Sequence, residues 1–355
     1  MPIQSGPGSY RGIRWSILAR WVALRHRQVD ETNTKQRFYT QAERDTDVRM
    51  IERISFIGAG AMGAAYASMF YDMDPHCVSF VAKGDRYEKL ARDGLIVNGR
   101  RYSLPVIKPE GPGLPSDFIV VAVKNHHLSE AIRDMKSVVG NDTIILSVMN
   151  GIDSEEQIGS VYGMGKVLYA IVIGIDAVRQ GNMVTFSKQG KLFFGEAENR
   201  VPSERVKSVQ SLFQRAGITY ETPHDMIRAL WWKFMINVGI NQVSAILRAP
   251  YRVFHHSQEA KELTEAAMKE VITLAKTANI ELTDKDIQDF YPHLFAMSPD
   301  GKTSMVQDVE AKRKTEVEMF AGKVIDLGRK HGVPTPVNDT LFRLLRAMES
   351  LWFKN

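Results

Sequence analysis

The chain has 355 residues, 44% hydrophobic and 25% charged in both signs, which describes a folded globular protein with length for two packed domains and excludes a disordered or collagen-like chain. Residues 1–49 hold nine basic and five acidic residues, so they carry four of the five net positive charges and leave a nearly neutral body without the basic stripe of a nucleic-acid binder. A single cysteine, Cys77, excludes a disulfide framework and any multi-cysteine zinc or iron-sulfur site, and no apolar run reaches the roughly 18 residues of a membrane span.

The first 49 residues set Arg11, Arg14, Arg20, Arg25 and Arg27 around a short apolar patch from Trp15 to Leu24. An organelle transit peptide is Arg-rich and acid-poor, which suits residues 1–29 but not Asp30, Glu31, Glu43, Asp45 and Asp47, and a secretory signal needs a longer apolar run. Met50-Ile51-Glu52-Arg53 leads at once into a strand, so 1–49 is read as a mis-called or accessory extension and the fold is sought from residue 50.

From there the pattern is α/β, with a Rossmann-type dinucleotide-binding domain over 50–223 and an all-α C-terminal domain over 224–355. The apolar run ending at Ile57 meets Gly58-Ala59-Gly60-Ala61-Met62-Gly63 and then an Ala-rich helical stretch. In this order Gly58 permits the tight turn, Gly60 admits a pyrophosphate to the backbone, and Gly63 lets helix pack on strand. A second strand, Val78–Val81, ends in Ala82-Lys83-Gly84-Asp85-Arg86. Lys83 and Arg86 there favour a 2′-phosphate and hence NADP, while Asp85 keeps NAD open.

Further apolar runs, Phe118–Val123 and Ile144–Met149, end at Lys124 and Asn150. Ligands of an open parallel sheet sit beyond the carboxyl ends of its strands, so both side chains are expected beside the cofactor. His126 and His127 have no further metal-ligand group at suitable spacing and read as loop residues, so no metal site is expected. Val167–Ile173, Met183–Phe186 and Lys191–Phe194 read as strands, the last two as a hairpin turning at Lys188-Gln189-Gly190.

Beyond Pro223 the pattern turns helical, over 225–247, 257–279, 284–296, 303–331 and 336–350. The first of these is apolar almost all round, yet at about 100° per residue Lys233, Asn237, Asn241 and Ser244 fall within about 80° of one another. Buried polar groups without partners are destabilising by roughly 1–3 kcal/mol each, so such a stripe should face a polar cavity or another helix. In the 303–331 segment, Ser304 and Glu316 can share a cleft only if Ser304 stands at the helix entrance, and Lys312 lies four residues before Glu316 as for an exposed i,i+4 pair.

These residues together resemble the ketopantoate reductases, or 2-dehydropantoate 2-reductases. The resemblance runs from Met50 to the C-terminus through G-A-G-A-M-G at Gly58, V-A-K-G at Lys83, Lys124, N-G at Asn150, K-x-x-x-N-x-x-x-N from Lys233, and S-M-x-Q-D with T-E-V-E from Ser304. It implies NADPH-dependent reduction of 2-dehydropantoate to pantoate, a step toward pantothenate and coenzyme A, with Lys233 as general acid and Glu316 completing the catalytic pair. It also implies cofactor contacts from Gly58, Ala59, Gly60, Ala61, Met62, Gly63, Lys83, Lys124, Asn150, Ala177 and Glu316, and substrate contacts from Asn150, Lys233, Asn237, Asn241 and Ser304. The expected partner is a small 2-keto acid in the cytoplasm, with neither nucleic acid nor membrane involved and a homodimer left open.

Two segments depart from the family pattern. Pro250-Tyr251-Arg252 stands where Pro, one residue and Gly are common, and Gly174-Ile175-Asp176-Ala177 lacks the usual small hydroxyl residues. These departures put the identity of the acid, and not the chemistry, in question. Competing readings are a reductase of another 2-keto acid or polyol and a non-enzymatic NADP-binding redox sensor, which would have no use for Lys233.

Overall fold

The computed structural model describes residues 49–111 and 113–352, so the extension read at 1–49 lies, Arg49 apart, outside the described residues. In chain order the first elements are β1 (Ile54–Ile57), α1 (Ala61–Met73), β2 (Val78–Val81), α2 (Gly84–Asp93), β3 (Leu95–Val97), β4 (Arg100–Tyr102), β5 (Val106–Ile107), β6 (Ser116–Val121), α3 (Leu128–Asp134) and β7 (Val139–Ser147). There follow α4 (Ser154–Tyr162), β8 (Val167–Ile175), β9 (Val178–Gln180), β10 (Met183–Thr185), β11 (Gln189–Gly195), α5 (Glu204–Arg215) and β12 (Tyr220–Glu221). The rest is helical: α6 (Met226–Leu247), α7 (Val253–His256), α8 (Gln258–Thr277), α9 (Asp284–Phe295), α10 (Ser304–Glu310), α11 (Lys323–His331) and α12 (Pro336–Ser350).

Eight strands form one sheet in the order β12-β11-β8-β7-β6-β1-β2-β5, parallel at every pairing except β8 with β11. Residues alternate between two covered faces. Phe56 and Phe118 join Phe70, Phe80, Phe194 and Phe213 in one buried cluster, while their neighbours Ile57 and Ile119 join Leu128, Ile132, Ile145 and Ile158 in another. Each such side chain contributes roughly 1.5–3 kcal/mol by leaving water. The chain leaves β1 toward β2 on one side and comes back to β6 on the other, so the sheet's switch point lies between the carboxyl ends of β1 and β6.

The hairpin expected between 183–186 and 191–194 is not formed. β10 pairs antiparallel with β9 and parallel with β3 in a separate four-stranded sheet, whereas β11 pairs with β8. Asp176 decides this by accepting from the Ser187 and Lys188 amides at 2.8 Å each, which ties the crossing segment to the end of β8. Local turn chemistry at Lys188-Gln189-Gly190 marks a change of sheet.

The helix α6 is the spine of the C-terminal half. Asp225 caps it by accepting from Arg228 N at 2.8 Å, and it ends at Arg248 in the left-handed region. Burial all round follows from its neighbours: α8 crosses so closely at Gly239 that a Cβ there would lie 2.7 Å from Met268 Cε, and Gln242 Nε2 donates to Asn338 Oδ1 of α12 at 3.2 Å.

The single helix expected over 303–331 is broken. After α10 the chain passes Lys312 in the left-handed region (φ 50°), takes a turn of π-helix at Glu318–Gly322, and only then resumes as α11. Tertiary partners hold the break open. Arg313 folds back on Asp308 (N to O 2.8 Å, Nε to Oδ1 3.0 Å), and buried Glu349 of α12 accepts from Thr315 N at 2.7 Å and Thr315 Oγ1 at 2.6 Å.

Candidate active site

The glycine turn leaves β1 at the switch point. Gly58 adopts φ 108°, and a Cβ there would stand 2.6 Å from the Ala122 carbonyl oxygen beyond β6. A Cβ on Gly63 would collide with the Gly58 carbonyl, which seats α1 against the turn. Gly60 differs from both: its backbone is ordinary extended chain, and the nearest protein atom to a built Cβ is 3.8 Å away. Neither conformation nor protein packing asks for glycine at Gly60, which caps α1 with no side-chain bond. Open space over unspent helix N–H groups, between Ala59 and the first-turn residues Ala61 and Met62, fits the pyrophosphate of a dinucleotide.

Lys124 and Asn150 follow the adjacent strands β6 and β7, and both reach the broken segment of the helical half. Lys124 Nζ stands 2.9 Å from Asp308 Oδ2 and 3.2 Å from Glu316 Oε2, and Asn150 Nδ2 donates to the same Glu316 oxygen at 3.3 Å. Burial pulls the Lys124 ammonium down, but Glu316 and Asp308 outweigh it and hold its pKa above the usual lysine value. In an unbroken helix Asp308 and Glu316 would be about 12 Å apart along the axis. The break lets one ammonium touch both. Lys312, expected as the i,i+4 partner of Glu316, is not its partner: the left-handed turn at Lys312 abolishes helical register.

On α6, Lys233 and Asn237 are half-buried while Asn241 and Ser244 are buried. Lys233 forms no hydrogen bond or ion pair among the described residues. Burial lowers its pKa to about 8, opposed by the charges of Glu316 and Glu155. Asn237 Nδ2 is a buried donor with no partner, and such groups in a folded protein mark a missing ligand or water. The stripe's far end is closed by Ser244 Oγ, 3.0 Å from Thr303 Oγ1.

Ser304 does stand at the entrance of α10, exposed, and the preceding Thr303 makes the contact with the stripe while capping Val306 N. Ala177 lies half-buried in the turn between β8 and β9, beside Asp176, whose carboxylate is engaged by Ser187 and Lys188. Lys83 is exposed and pairs with Glu130 and Asp134 of α3. The turn at Tyr251 and Arg252 is tied across to the loop before α10, with Tyr251 N on Gly301 O at 2.9 Å and Arg252 N on Pro299 O at 2.8 Å.

Sequence reasoning missed Asp308, Thr303 and Glu155. The first two lie near Ser304 in the chain: Asp308 is met by Arg313 folding back at the break and by Lys124 from the sheet, while Thr303 meets Ser244 of α6 and caps Val306 N. Glu155, in the first turn of α4, is fully buried, accepts from Ser154 Oγ at 2.8 Å, and is pushed up to about 7 chiefly by burial. An acid two residues past an N-G-I-D turn reads as a helix-dipole partner, so nothing local marked it for burial. Among the described residues no group of three or more His, Cys, Asp or Glu is placed to hold a metal ion, and no helix is long and apolar enough to cross a membrane.

Two family models match the chain, one described as ketopantoate reductase PanE/ApbA over residues 54–199 and one as ketopantoate reductase PanE/ApbA C terminal over residues 225–349. A 2-dehydropantoate 2-reductase of Aquifex aeolicus is 26% identical over 309 residues, covering 84% of this chain and 98% of the relative. Among solved structures, D-mandelate dehydrogenase with NADH and anilino(oxo)acetate superposes with a TM-score of 0.77 at 22% identity, over 84% of this chain and 99% of that one. A dimeric ketopantoate reductase from Staphylococcus aureus does so with a TM-score of 0.71 at 22% identity, again over 84% and 99%.

Proposed function

We propose, from the premise that the chain belongs to the ketopantoate reductase family, that this oxidoreductase reduces 2-dehydropantoate to pantoate with NADPH. The state of Lys233 carries the reading: a half-buried ammonium without an ion-pair partner, brought down to about 8, on the same stripe as the orphaned Asn237 amide.

When bound, the nicotinamide supplies a hydride to the keto carbon. Lys233 answers the charge that then gathers on the keto oxygen. Its ammonium polarises the carbonyl and delivers a proton to the forming alkoxide, and a pKa near 8 leaves it charged at neutral pH yet ready to release that proton. Burial explains the readiness, since the neutral amine is the form the site solvates better. Asn237 Nδ2 donates to the substrate carboxylate or hydroxyl, with Asn241 one turn further along α6 and Ser304 contributing from the entrance of α10, next to the Thr303 that meets the stripe. Glu316 keeps Lys233 from falling too far and, through Asn150 and Lys124, ties the strand ends to the helical half.

The turn at Gly58–Gly63 holds the pyrophosphate, and the basic residues beyond β2 favour NADPH over NADH. A sensor without catalysis would need that turn but not Lys233. The testing assay is NADPH oxidation by the full chain against a panel of branched 2-keto acids that includes 2-dehydropantoate. Highest kcat/KM on 2-dehydropantoate is expected. Preference for an aromatic or other 2-keto acid would move the protein to a relative with altered substrate, as the Pro250-Tyr251-Arg252 departure allows, and no turnover with any would favour the sensor.

A further inference from the structure

Two buried carboxylates act on Lys233, and only Glu316 has a part in the proton delivery set out for it. The other is Glu155 in the first turn of α4, 2% exposed. Ser154 Oγ donates to Glu155 Oε2 at 2.8 Å. That spends the Ser154 proton, so Ser147 Oγ at the end of β7 donates in turn to Ser154 Oγ at 2.7 Å and itself accepts from Met149 N at 3.4 Å. The hydroxyl chain thus runs from Glu155 to the residue before Asn150, whose amide reaches Glu316. No salt bridge reaches Glu155 among the described residues.

An apolar cluster sets this acid near α6. Ile152 and Tyr169 pack with Ala229 and Leu230 around Ile171, Phe193 and Met226. Glu155 stands three residues beyond Ile152 and Lys233 three beyond Leu230, so the turn ahead of α4 and the start of α6 share one contact. Burial pushes Glu155 up to about 7, against the bonds from Ser154 and from the Glu155 and Ala170 amides, because hydrogen bonds alone only partly replace water around a carboxylate. Lys233 is in the converse state, half-buried with no counter-ion in contact. Each charge then favours the other. The further charged and titratable groups around Glu155 are Asp153, paired with Lys323 of α11 at 2.6 Å, Glu156 on α4 itself, and Tyr169 of β8, on which Glu196 also acts.

We propose that Glu155 is a positioning residue for the reduction, its carboxylate acting from the buried first turn of α4 to keep the Lys233 ammonium charged, with Ser154 and Ser147 fixing where that charge sits. This rests on the reading of Lys233 as the general acid. The consequence is specific in pH. Below about 7 Glu155 is protonated and gives Lys233 no help, at a pH where the amine is charged in any case. Above it the carboxylate forms and holds the ammonium to higher pH. The alkaline limb of the reaction is then set by two carboxylates from different halves of the chain, Glu155 and Glu316.

The experiment follows the Lys233 Cε signal by NMR across pH in the full chain with labelled lysine, the signal being the one absent from Lys233→Met. In the unaltered protein it titrates near 8, with a second and smaller inflection near 7. In Glu155→Gln, which keeps an oxygen for Ser154, the inflection near 7 disappears and the main midpoint falls by about half a pH unit or more. Steady-state reduction of 2-dehydropantoate with NADPH gives the second reading. The two proteins turn over within about twofold of each other at about pH 6 and differ by about threefold at about pH 8.5, with KM within about twofold throughout, and Glu155→Asp recovers most of the loss. A Lys233 midpoint unmoved by Glu155→Gln, or a loss of rate equal at both pH values, overturns the proposal. Were Glu155→Gln not to fold, a Lys233 signal without the inflection near 7 in the unaltered protein would overturn it. If Lys233→Ala turned over as fast as the unaltered protein, the general-acid reading would fail, whereas a slow Lys233→Ala beside an unmoved midpoint fails Glu155 alone.

Discussion

Between Gly58 and Gly63 six consecutive residues shape the turn at the end of β1, whereas between Asp308 and Glu316 the cluster with Lys124 forms because Glu349 and Arg313 hold the chain out of helical register. The glycine turn needs no partner to be recognised. The broken helix shows that an apolar periodicity can continue through a segment whose polar residues are claimed by groups 34 residues away, such as Glu349 on Thr315. What joins the two regions is a small set of charges: Lys124 from the sheet, Asp308 and Glu316 from the break, and Lys233 from α6.

Substitutions can break that division of labour. Lys233→Ala should lower turnover by about 100-fold or more, the lower range for losing a general acid, while calorimetry shows NADPH binding nearly unchanged. An unchanged rate would remove α6 from the chemistry. Glu316→Gln should lower turnover by about tenfold and also move a limb of the pH profile. Its charge raises the Lys233 pKa, so removing that charge drops Lys233 below about 8. The acid must be protonated to act, so the reduction rate, which in the unaltered protein falls as pH rises through about 8, should fall at lower pH in the variant. Asp308→Asn keeps the Glu316 charge beside Lys233 and should leave that limb in place; if both variants shift it alike, the two carboxylates are not separable.

Asn237→Ala sharpens the comparison from the substrate side. Its Nδ2 has no protein partner to lose, so KM for the 2-keto acid should rise several-fold while the thermal midpoint stays within about 1 °C. A large fall in the midpoint would show a structural role instead. The smallest effect is expected from Thr315→Val, which removes the hydroxyl's bond to Glu349 and the longer one it accepts from Val317 N, and keeps the Thr315 N bond to Glu349. Loss of stability by about 1 kcal/mol in urea unfolding, with a small drop in rate, would mark the break as a support for Glu316.

The stripe on α6 was visible because the helix is otherwise apolar, and 3.6-residue periodicity is a local property. Lys124 and Asn150 were visible because parallel strands place their ends on one edge. Glu155 was not, since its burial depends on what packs over α4. The hairpin expectation failed at Asp176, a residue whose bonds to Ser187 and Lys188 send the chain from one sheet to the other. Lys83 stands exposed after β2 as expected of its place in the chain, and its pairing with Glu130 and Asp134, some fifty residues on, was not legible in the sequence.

By itself, then, the amino-acid order determined the strand-glycine-helix opening, the parallel run of buried strands and the polar stripe of the long helix. Each depends on backbone sterics and on side-chain spacing along one element. The tertiary structure decided which charges meet. Whether Lys124 pairs with Glu316, whether Lys312 does, and which buried carboxylates act on Lys233 are matters of a few ångströms between elements far apart in the chain, and electrostatic energy in a partly buried site follows those distances and that burial.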